Sequence, residues 1–260
     1  MDNASGVRNF FEYLPASITF HKLKNEGLAR IIFVLVLFCQ LIGSYVQYKV
    51  LNLISTDDLG ILYSTLTMGT ASSSKETSQP TEHILYLLLI VLGTTLLVKL
   101  VSNLFFAVYM HSYISELRGK DTGYIASFKG VFKHIWRLIC YNIIFGLLVL
   151  IGLMFFIVPG VIAYVIFVFG FCYILDLKLK ISDVMTASSE ITRGKKTQIV
   201  SVFAGFFLLF ESPILLLLSG SSLGIAYAAS FFSTIASLIL QRLIVKIYMD
   251  LEYKKGITTK

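Results

Sequence analysis

The segment 220–224, Gly-Ser-Ser-Leu-Gly, comes nearest to a catalytic motif because it matches the G-x-S-x-G pattern of hydrolases. In those enzymes the serine follows a strand, whereas here the segment joins two long apolar runs. His83 begins another apolar run, so a Ser222–His83 dyad is conceivable. The alternative is a tight turn, with Gly224 and Ala228 spaced for close helix packing. We favour the turn, and the sequence therefore predicts no catalytic residue.

Four polar residues interrupt the apolar runs, and a charge inside a bilayer costs several kcal/mol, so such residues are candidates for function. Lys99 and Asn103 are one helical turn apart, and Asn142 and Glu211 lie in later runs. One interpretation makes them ligands for an anionic substrate or part of a proton path. In the other, Lys99 pairs with a buried polar group and Glu211 reaches the outer membrane interface. The sequence leaves both interpretations open.

Two short segments beside apolar runs are rich in cations, and we predict that they contact lipid phosphates. Arg193-Gly194-Lys195-Lys196-Thr197 also resembles the end of a P-loop, but no strand precedes it. The six residues predicted to contact phosphate are Lys129, Lys133, Arg137, Arg193, Lys195 and Lys196.

Metal and cofactor sites are not predicted. The four histidines lack paired ligand spacing, and the three cysteines lie singly inside apolar runs. The net charge of +7 comes from cations that adjoin apolar runs, which favours anionic lipid over nucleic acid as the partner.

The apolar runs themselves determine the fold class. Hydrophobic residues make up 56% of the 260 residues and charged residues 14%, and the long runs match the thickness of bilayer hydrocarbon. Because lipid offers the backbone no hydrogen-bond partner, each run should be a helix. The sequence therefore predicts an all-α polytopic membrane protein with six transmembrane helices arranged as three hairpins. The predicted spans are 29–51, 84–110, 138–158, 159–176, 198–219 and 223–247.

The distribution of cations predicts the orientation in the membrane. All but three of the 22 Lys and Arg residues lie before span one, between spans two and three, between spans four and five, or around the end of span six. Both termini should therefore be cytoplasmic, in a multi-pass protein of the cell membrane. We divide the chain into a cytoplasmic amphipathic segment (1–28), a six-helix domain (29–250) with a flexible external loop (54–82), and a cytoplasmic tail (251–260).

Amphipathic segments precede each pair of spans, at 7–23, 124–137 and 181–193. Their predicted apolar faces pass through Phe10, Phe11, Leu14 and Ile18 in the first, Phe128, Val131, Phe132 and Ile135 in the second, and Ile181, Val184, Met185, Ser188 and Ile191 in the third. Such helices suit the membrane interface, with basic side chains reaching phosphates.

The turn that joins spans three and four is predicted at 158–161, with Pro159 in the first turn of span four. Span four is short, so a re-entrant pair of helices is the alternative to two full crossings.

The stretch 158–203 carries a pattern of residues that occurs in a known group of membrane domains. Its features are Pro159-Gly160, an aromatic-rich span, Asp176, then Ala187, Ser188 or Ser189, and Thr192-Arg193-Gly194-Lys195, with Arg118-Gly119 and Phe128-Lys129 upstream. These resemble a prokaryotic six-helix membrane-domain group that includes the membrane domain of some glycerophosphodiester phosphodiesterases. The resemblance implies six helices with a cytoplasmic amphipathic helix after the fourth, and it implies no activity.

The sequence favours a non-enzymatic integral membrane protein that binds lipids or a membrane partner through its basic amphipathic helices. A small transporter or export component, with a polar path at Lys99 and Glu211, is the alternative, and a membrane enzyme ranks third. Small residues in span six also permit self-association.

Overall fold

The computed structural model describes residues 7–24, 26–53, 78–120, 123–218 and 222–258. Within these ranges the chain is helical and contains no β-strand, which confirms the predicted all-α class. Six helical segments are long and apolar enough to cross a membrane, so the chain is a multi-pass membrane protein. The elements are α1 (Phe10–Ile18), α2 (Glu26–Leu51), α3 (Ser78–Leu117), α4 (Tyr124–Phe132), α5 (Ile135–Phe155), α6 (Ile157–Phe167), α7 (Gly170–Asp176), α8 (Ile181–Ile191), α9 (Lys196–Phe206), the π-helical segment Phe207–Glu211, α10 (Ser212–Leu218) and α11 (Leu223–Thr258).

The helices agree with the predicted spans in number and order, but several run beyond the predicted limits. Helix α3 begins at Ser78, so the last part of the predicted external loop is helical, and the rest of that loop lies outside the described residues. Helix α11 continues to Thr258, through most of the predicted tail. A helix satisfies its own backbone in water as well as in lipid, so the end of an apolar run need not end the helix.

The turn between α5 and α6 lies two residues before the predicted position. Phe156 alone is extended, with φ −163° and ψ 154°, and it separates the two helices. Pro159 does lie in the first turn of α6, where its missing N–H costs nothing. The turn is this short because the backbones of Gly152 and Gly160 touch: a Cβ built on Gly152 would lie 2.8 Å from the Gly160 Cα.

The second predicted amphipathic segment is divided between two helices. Helix α4 ends at Phe132 and α5 begins at Ile135, so Ile135 and Arg137 belong to a membrane-spanning helix and not to the surface helix. The helical spacing of apolar residues continues across the break, which is why the sequence pattern did not reveal it.

The third predicted amphipathic segment forms α8 as expected. Val184, Ser188 and Ile191 are buried on one face of this helix. The helix ends at Ile191, two residues before the predicted end, so that Thr192 takes the cap position, and Gly194 beyond it adopts φ +76°.

The first predicted amphipathic segment forms α1, but with a different buried face. Tyr13 and Ser17 are buried, whereas Phe11 and Ile18 of the predicted apolar face are exposed. The Tyr13 hydroxyl donates a hydrogen bond to Asp250 at 2.9 Å, which holds the buried face against α11 and leaves Phe11 and Ile18 on the outside.

The buried core lies at one end of the bundle, where α3, α7 and α11 end and α1, α4 and α8 pack against them. We call this end, which carries most of the cations, the basic end. Its largest fully buried side chains include five tyrosines, Tyr109, Tyr113, Tyr141, Tyr173 and Tyr248. Towards the opposite end, leucine and phenylalanine side chains are exposed, as expected for helices surrounded by lipid.

Candidate functional site

Asp176, at the end of α7, joins α3, α7 and α11 at the basic end. Its carboxylate accepts hydrogen bonds from the Arg118 guanidinium, just beyond α3, and from the Tyr248 hydroxyl of α11, the latter at 3.0 Å. The hydrogen bond and the charge of Asp176 raise the pKa of Arg118 above its ordinary value. This ion pair fixes the ends of α3, α7 and α11 relative to one another, and it therefore positions the elements around them.

Helix α4 is held against α3 by its inner face. Ser127 and Val131 are buried there, and Gly130 lies against the imidazole of His111. A Cβ built on Gly130 would be 2.9 Å from two ring atoms of His111, so glycine is what allows this close approach.

The outer face of α4 and the start of α5 combine large apolar side chains with cations. Ile125, Phe132 and Trp136 are 82%, 60% and 77% exposed. Lys129 and Lys133 are exposed between them. Apolar side chains that alternate with lysines on one helical surface are typical of a helix at the membrane interface, where the rings enter lipid and the ammonium groups reach phosphates.

Next to this surface, and sharing Lys133 with it, lies a cluster of four groups that carry or can gain positive charge. Arg137 donates from Nη1 to the carbonyl of Lys178 at 2.8 Å, and Lys178 adopts a left-handed conformation with φ 57°. Burial and the charges of Arg137, Lys178 and Lys133 lower the pKa of the His134 imidazole. Within the described ranges, Lys133, Arg137 and Lys178 form no ion pair. The cluster Lys133–His134–Arg137–Lys178 thus has an unneutralised positive charge, which favours an anion.

The other predicted phosphate contacts lie between α8 and α9. Arg193 and Lys196 are exposed and Lys195 is half-buried. Helix α8 packs against α6 and α7, whereas α4 packs against α3. The six predicted residues therefore lie on elements that pack against different helices.

Two of the four predicted intramembrane polar residues are in direct contact. The side-chain amide of Asn103 donates to the Asn142 side-chain oxygen at 2.9 Å, which links α3 to α5. Lys99 is exposed one turn away on α3, and its charge acts on the carboxyl group of Glu211. The direct contact thus involves only the two asparagines, and Lys99 and Glu211 interact through their charges.

Glu211 lies at the end of the π-helical segment. Pro213, two residues later, has no N–H for the carbonyl four residues before it, which disturbs the α-helical hydrogen-bond pattern at this point. Such π-helical turns occur frequently at functional sites.

The serine of the hydrolase-like motif has a structural role in the part of the motif that is described. Ser222 Oγ accepts a hydrogen bond from the Ile225 N–H at 3.3 Å, which is the contact of a helix N-cap. Gly220 and Ser221 lie outside the described residues, as does the side chain of His83.

A buried arginine at the basic end was not recognised from the sequence, where it counted as a flanking cation. Arg242 of α11 is buried, its guanidinium lies 4.4 Å from the ring centroid of Tyr113, and Nη1 donates to the carbonyl of Lys22. Lys246 and Asp250 follow it at intervals of four residues on the same helix face. That spacing is the sequence feature from which a polar face on α11 could have been inferred.

A small cavity of about 140 Å³ lies near this face, between α1, α3 and α11. Arg8 forms an ion pair with Asp250 at 3.3 Å at its edge, and burial raises the pKa of Tyr13, so its hydroxyl remains a donor. None of the predicted site residues lines this cavity, which is formed by Arg8, Glu12, Tyr13, Leu117, Lys246, Met249 and Asp250.

No protein-family model, curated protein or solved structure matches the chain. The resemblance to the prokaryotic membrane-domain group therefore stays a prediction.

Proposed function

We propose that this protein is a non-enzymatic integral membrane protein that binds anionic phospholipid head groups at its basic end. The observation that carries the proposal is the surface formed by α4 and the start of α5. Phe132 and Trp136 are largely exposed there beside Lys129 and Lys133. Such a surface is costly in water and favourable at the boundary between hydrocarbon and head groups.

The cluster Lys133–His134–Arg137–Lys178, next to this surface, supplies the phosphate site. Arg137 uses one nitrogen on the Lys178 carbonyl and keeps further N–H donors, Lys133 adds a mobile ammonium group, and His134 can gain a proton. A phosphodiester placed here would neutralise cations that lack an ion-pair partner among the described residues. The patch formed by Arg193, Lys195 and Lys196 would provide a second contact of the same kind.

The basic end faces the cytoplasm in this proposal, in a multi-pass protein of the cell membrane with both termini inside. The bias of Lys and Arg towards this end supports that orientation. The anionic lipids of the cytoplasmic leaflet would then be the natural ligands. Helix α8, which follows the fourth span, is also consistent with the prokaryotic six-helix group that we propose as the family.

The single tryptophan, Trp136, provides the test because it adjoins the proposed site. The purified protein is placed in nanodiscs that contain either brominated phosphatidylglycerol or brominated phosphatidylcholine at equal fractions. We expect stronger quenching of Trp136 by phosphatidylglycerol, because an anionic lipid should be enriched beside the cations. Equal quenching by the two lipids would contradict the proposal.

Substitutions locate the binding. The double variant Lys133→Gln/Arg137→Gln should lose the preference for phosphatidylglycerol. A control with one lysine removed elsewhere, Lys49→Gln near the end of α2, should keep it. Loss of the preference in the control as well would indicate an effect of net charge and not of a site.

A small transporter or export component is the second candidate, and the intramembrane polar residues favour it. The Asn103–Asn142 hydrogen bond links α3 to α5, and the charge of Lys99 acts on Glu211 of the fifth span. Proteoliposomes loaded with a pH-sensitive dye test a proton path. Flux that disappears in Lys99→Met and Glu211→Gln would support transport, and an impermeable wild type would exclude a proton route.

A second copy of the chain, or another membrane protein, is a further proposed partner through span six. Gly224 and Ala228 of α11 are exposed, as close packing of helices requires. We expect a dimer by light scattering in mild detergent, and a monomer for Ala228→Leu. A monomeric wild type would contradict self-association.

A further inference from the structure

The turn between α5 and α6 is unlike the other connections at the end of the bundle opposite the basic end. From residue 143 to residue 163 the chain contains no polar side chain. The connection between α2 and α3 is rich in Ser, Thr and charged residues, and the connection between α10 and α11 contains Ser219, Ser221 and Ser222. Two hairpins therefore end in polar segments suited to water, and the middle hairpin does not.

The side chains of this turn are exposed on every side. All residues from 153 to 159 are exposed, with Met154 at 80% and Phe156 at 74%. The described part of the protein therefore does not cover the turn, which leaves water, lipid, another protein or an undescribed part of this chain as its neighbour.

The length of the hairpin indicates lipid. Arg137 is held at the basic end by the Lys178 carbonyl. At about 1.5 Å per residue, the helix from Arg137 to Phe156 reaches roughly 29 Å. The hydrocarbon of a bilayer is about 30 Å thick. With Arg137 at the head-group boundary, any tilt of α5 leaves Phe156 within the hydrocarbon, whereas α3 has 40 residues and α11 has 36.

The backbone of the turn is suited to a site without water. The Phe156 N–H donates to the Gly152 carbonyl at 3.1 Å, and the Gly160 N–H donates to the Phe156 carbonyl at 3.4 Å. Pro159 has no N–H to satisfy. These two bonds and the missing N–H of Pro159 reduce the number of backbone groups that the turn leaves unpaired, which lowers the cost of placing it in lipid.

We propose that the α5–α6 hairpin enters and leaves the membrane at the basic end and that its turn is embedded in the acyl chains of the opposite leaflet. The occupant of the exposed apolar surface at 153–159 is lipid hydrocarbon, and the middle hairpin presents no loop to the aqueous phase on that side. The proposal does not depend on head-group binding at the basic end.

Tryptophan fluorescence in nanodiscs tests the position of the turn. The natural tryptophan is first removed by Trp136→Phe. A new reporter is then introduced at the turn by Phe156→Trp. The control is Asn52→Trp, which lies just after α2 and is exposed to water. For Phe156→Trp we expect blue-shifted emission and quenching by lipids brominated in the acyl chain. Iodide should quench the emission of Asn52→Trp but not that of Phe156→Trp. Iodide quenching equal to that of the control would place the turn in water and overturn the proposal.

A reporter that neither quencher reaches would show that protein covers the turn, and this result would also overturn the proposal.

Thiol labelling gives an independent measurement in reconstituted vesicles. With an impermeant maleimide, Phe156→Cys should label no more than the wild-type background, whereas Asn52→Cys should label. Both variants should label after solubilisation in detergent, which verifies that the introduced thiols are reactive. Labelling of Phe156→Cys in intact vesicles, at the rate of Asn52→Cys, would contradict an embedded turn.

Discussion

At the scale of single residues, Asp176 links three helices at the basic end. It accepts hydrogen bonds from Arg118 and Tyr248, so one carboxylate serves three helices. Its side chain is mostly buried, at 11% exposure, which weakens screening by water. The sequence marked Asp176 only through the family resemblance, because its partners lie 58 and 72 residues away along the chain.

Asp176→Asn should destabilise the fold. The substitution removes the charge that compensates Arg118, and a lost hydrogen bond to a charged group costs roughly 1–3 kcal/mol. Thermal unfolding in detergent measures the effect. The control is Glu26→Gln, which removes the carboxylate of an ion pair with Arg30 in which both side chains are largely exposed. That change should have little effect, and equal destabilisation by the two substitutions would contradict the role of Asp176.

His134 should make lipid binding depend on pH. Burial and the neighbouring Arg137, Lys178 and Lys133 lower its pKa below the ordinary histidine value, so the imidazole is neutral at neutral pH. His111 also faces the group from α3. A bound phosphate offsets these positive charges and raises the pKa of His134. By linkage, protonation then strengthens phosphate binding, so affinity rises as the pH falls.

The measurement is the preference of Trp136 quenching for brominated phosphatidylglycerol between about pH 7.5 and about pH 5.5, which brackets the usual histidine pKa of about 6.5. We expect the preference to increase towards the acidic end in the wild type and to become independent of pH in His134→Gln. The control His21→Gln, an exposed histidine before α2, should keep the dependence. A preference that falls with acidification would show that the sign is wrong.

At the scale of elements, the helices were predictable and their ends were not. Long apolar runs require helices wherever lipid is the solvent, which is why six spans followed from the sequence. The ends do not follow the apolar pattern. Helix α11 continues past the predicted end of span six, where Asp250 accepts a hydrogen bond from Tyr13 of α1, and the apolar spacing that defined 124–137 continues across the break before Ile135.

Gly130 should be required for the position of α4. In Gly130→Ala the new Cβ would meet the His111 ring at 2.9 Å, so the imidazole would have to leave its place between the helices or α4 would have to move away from α3. We expect lower thermal stability and a weaker preference for phosphatidylglycerol, because the interfacial surface moves with the helix.

Gly123→Ala is the matched control, since its Cβ would meet nothing within 4 Å. A second test makes room for the new methyl group: His111→Ala combined with Gly130→Ala should recover part of the stability that Gly130→Ala loses. If Gly130→Ala behaves like the Gly123→Ala control, the close contact between α3 and α4 does not determine the position of the surface helix.

At the scale of the whole molecule, packing and charge are both concentrated at one end. The core and most of the cations lie at the basic end, and the opposite half consists of exposed apolar helices. The six residues predicted to contact phosphate are mostly exposed there, as their position beside apolar runs implied. The sequence could not show that Lys178 joins Lys133 and Arg137, because the end of α7 brings it there from a distance of 41 residues along the chain.

This asymmetry predicts the orientation of the molecule, because translocation of many cations across the membrane is unfavourable and positive segments stay inside. A cysteine introduced by Ser73→Cys, in the connection between α2 and α3, should react with an impermeant thiol reagent in intact cells. The control is Ser182→Cys, at an exposed position of α8 at the basic end, and it should react only after permeabilisation. The reverse pattern would place the basic end outside. The expected pattern would place the Lys133–Arg137 cluster against the leaflet that carries the anionic lipids, where the proposed binding can operate.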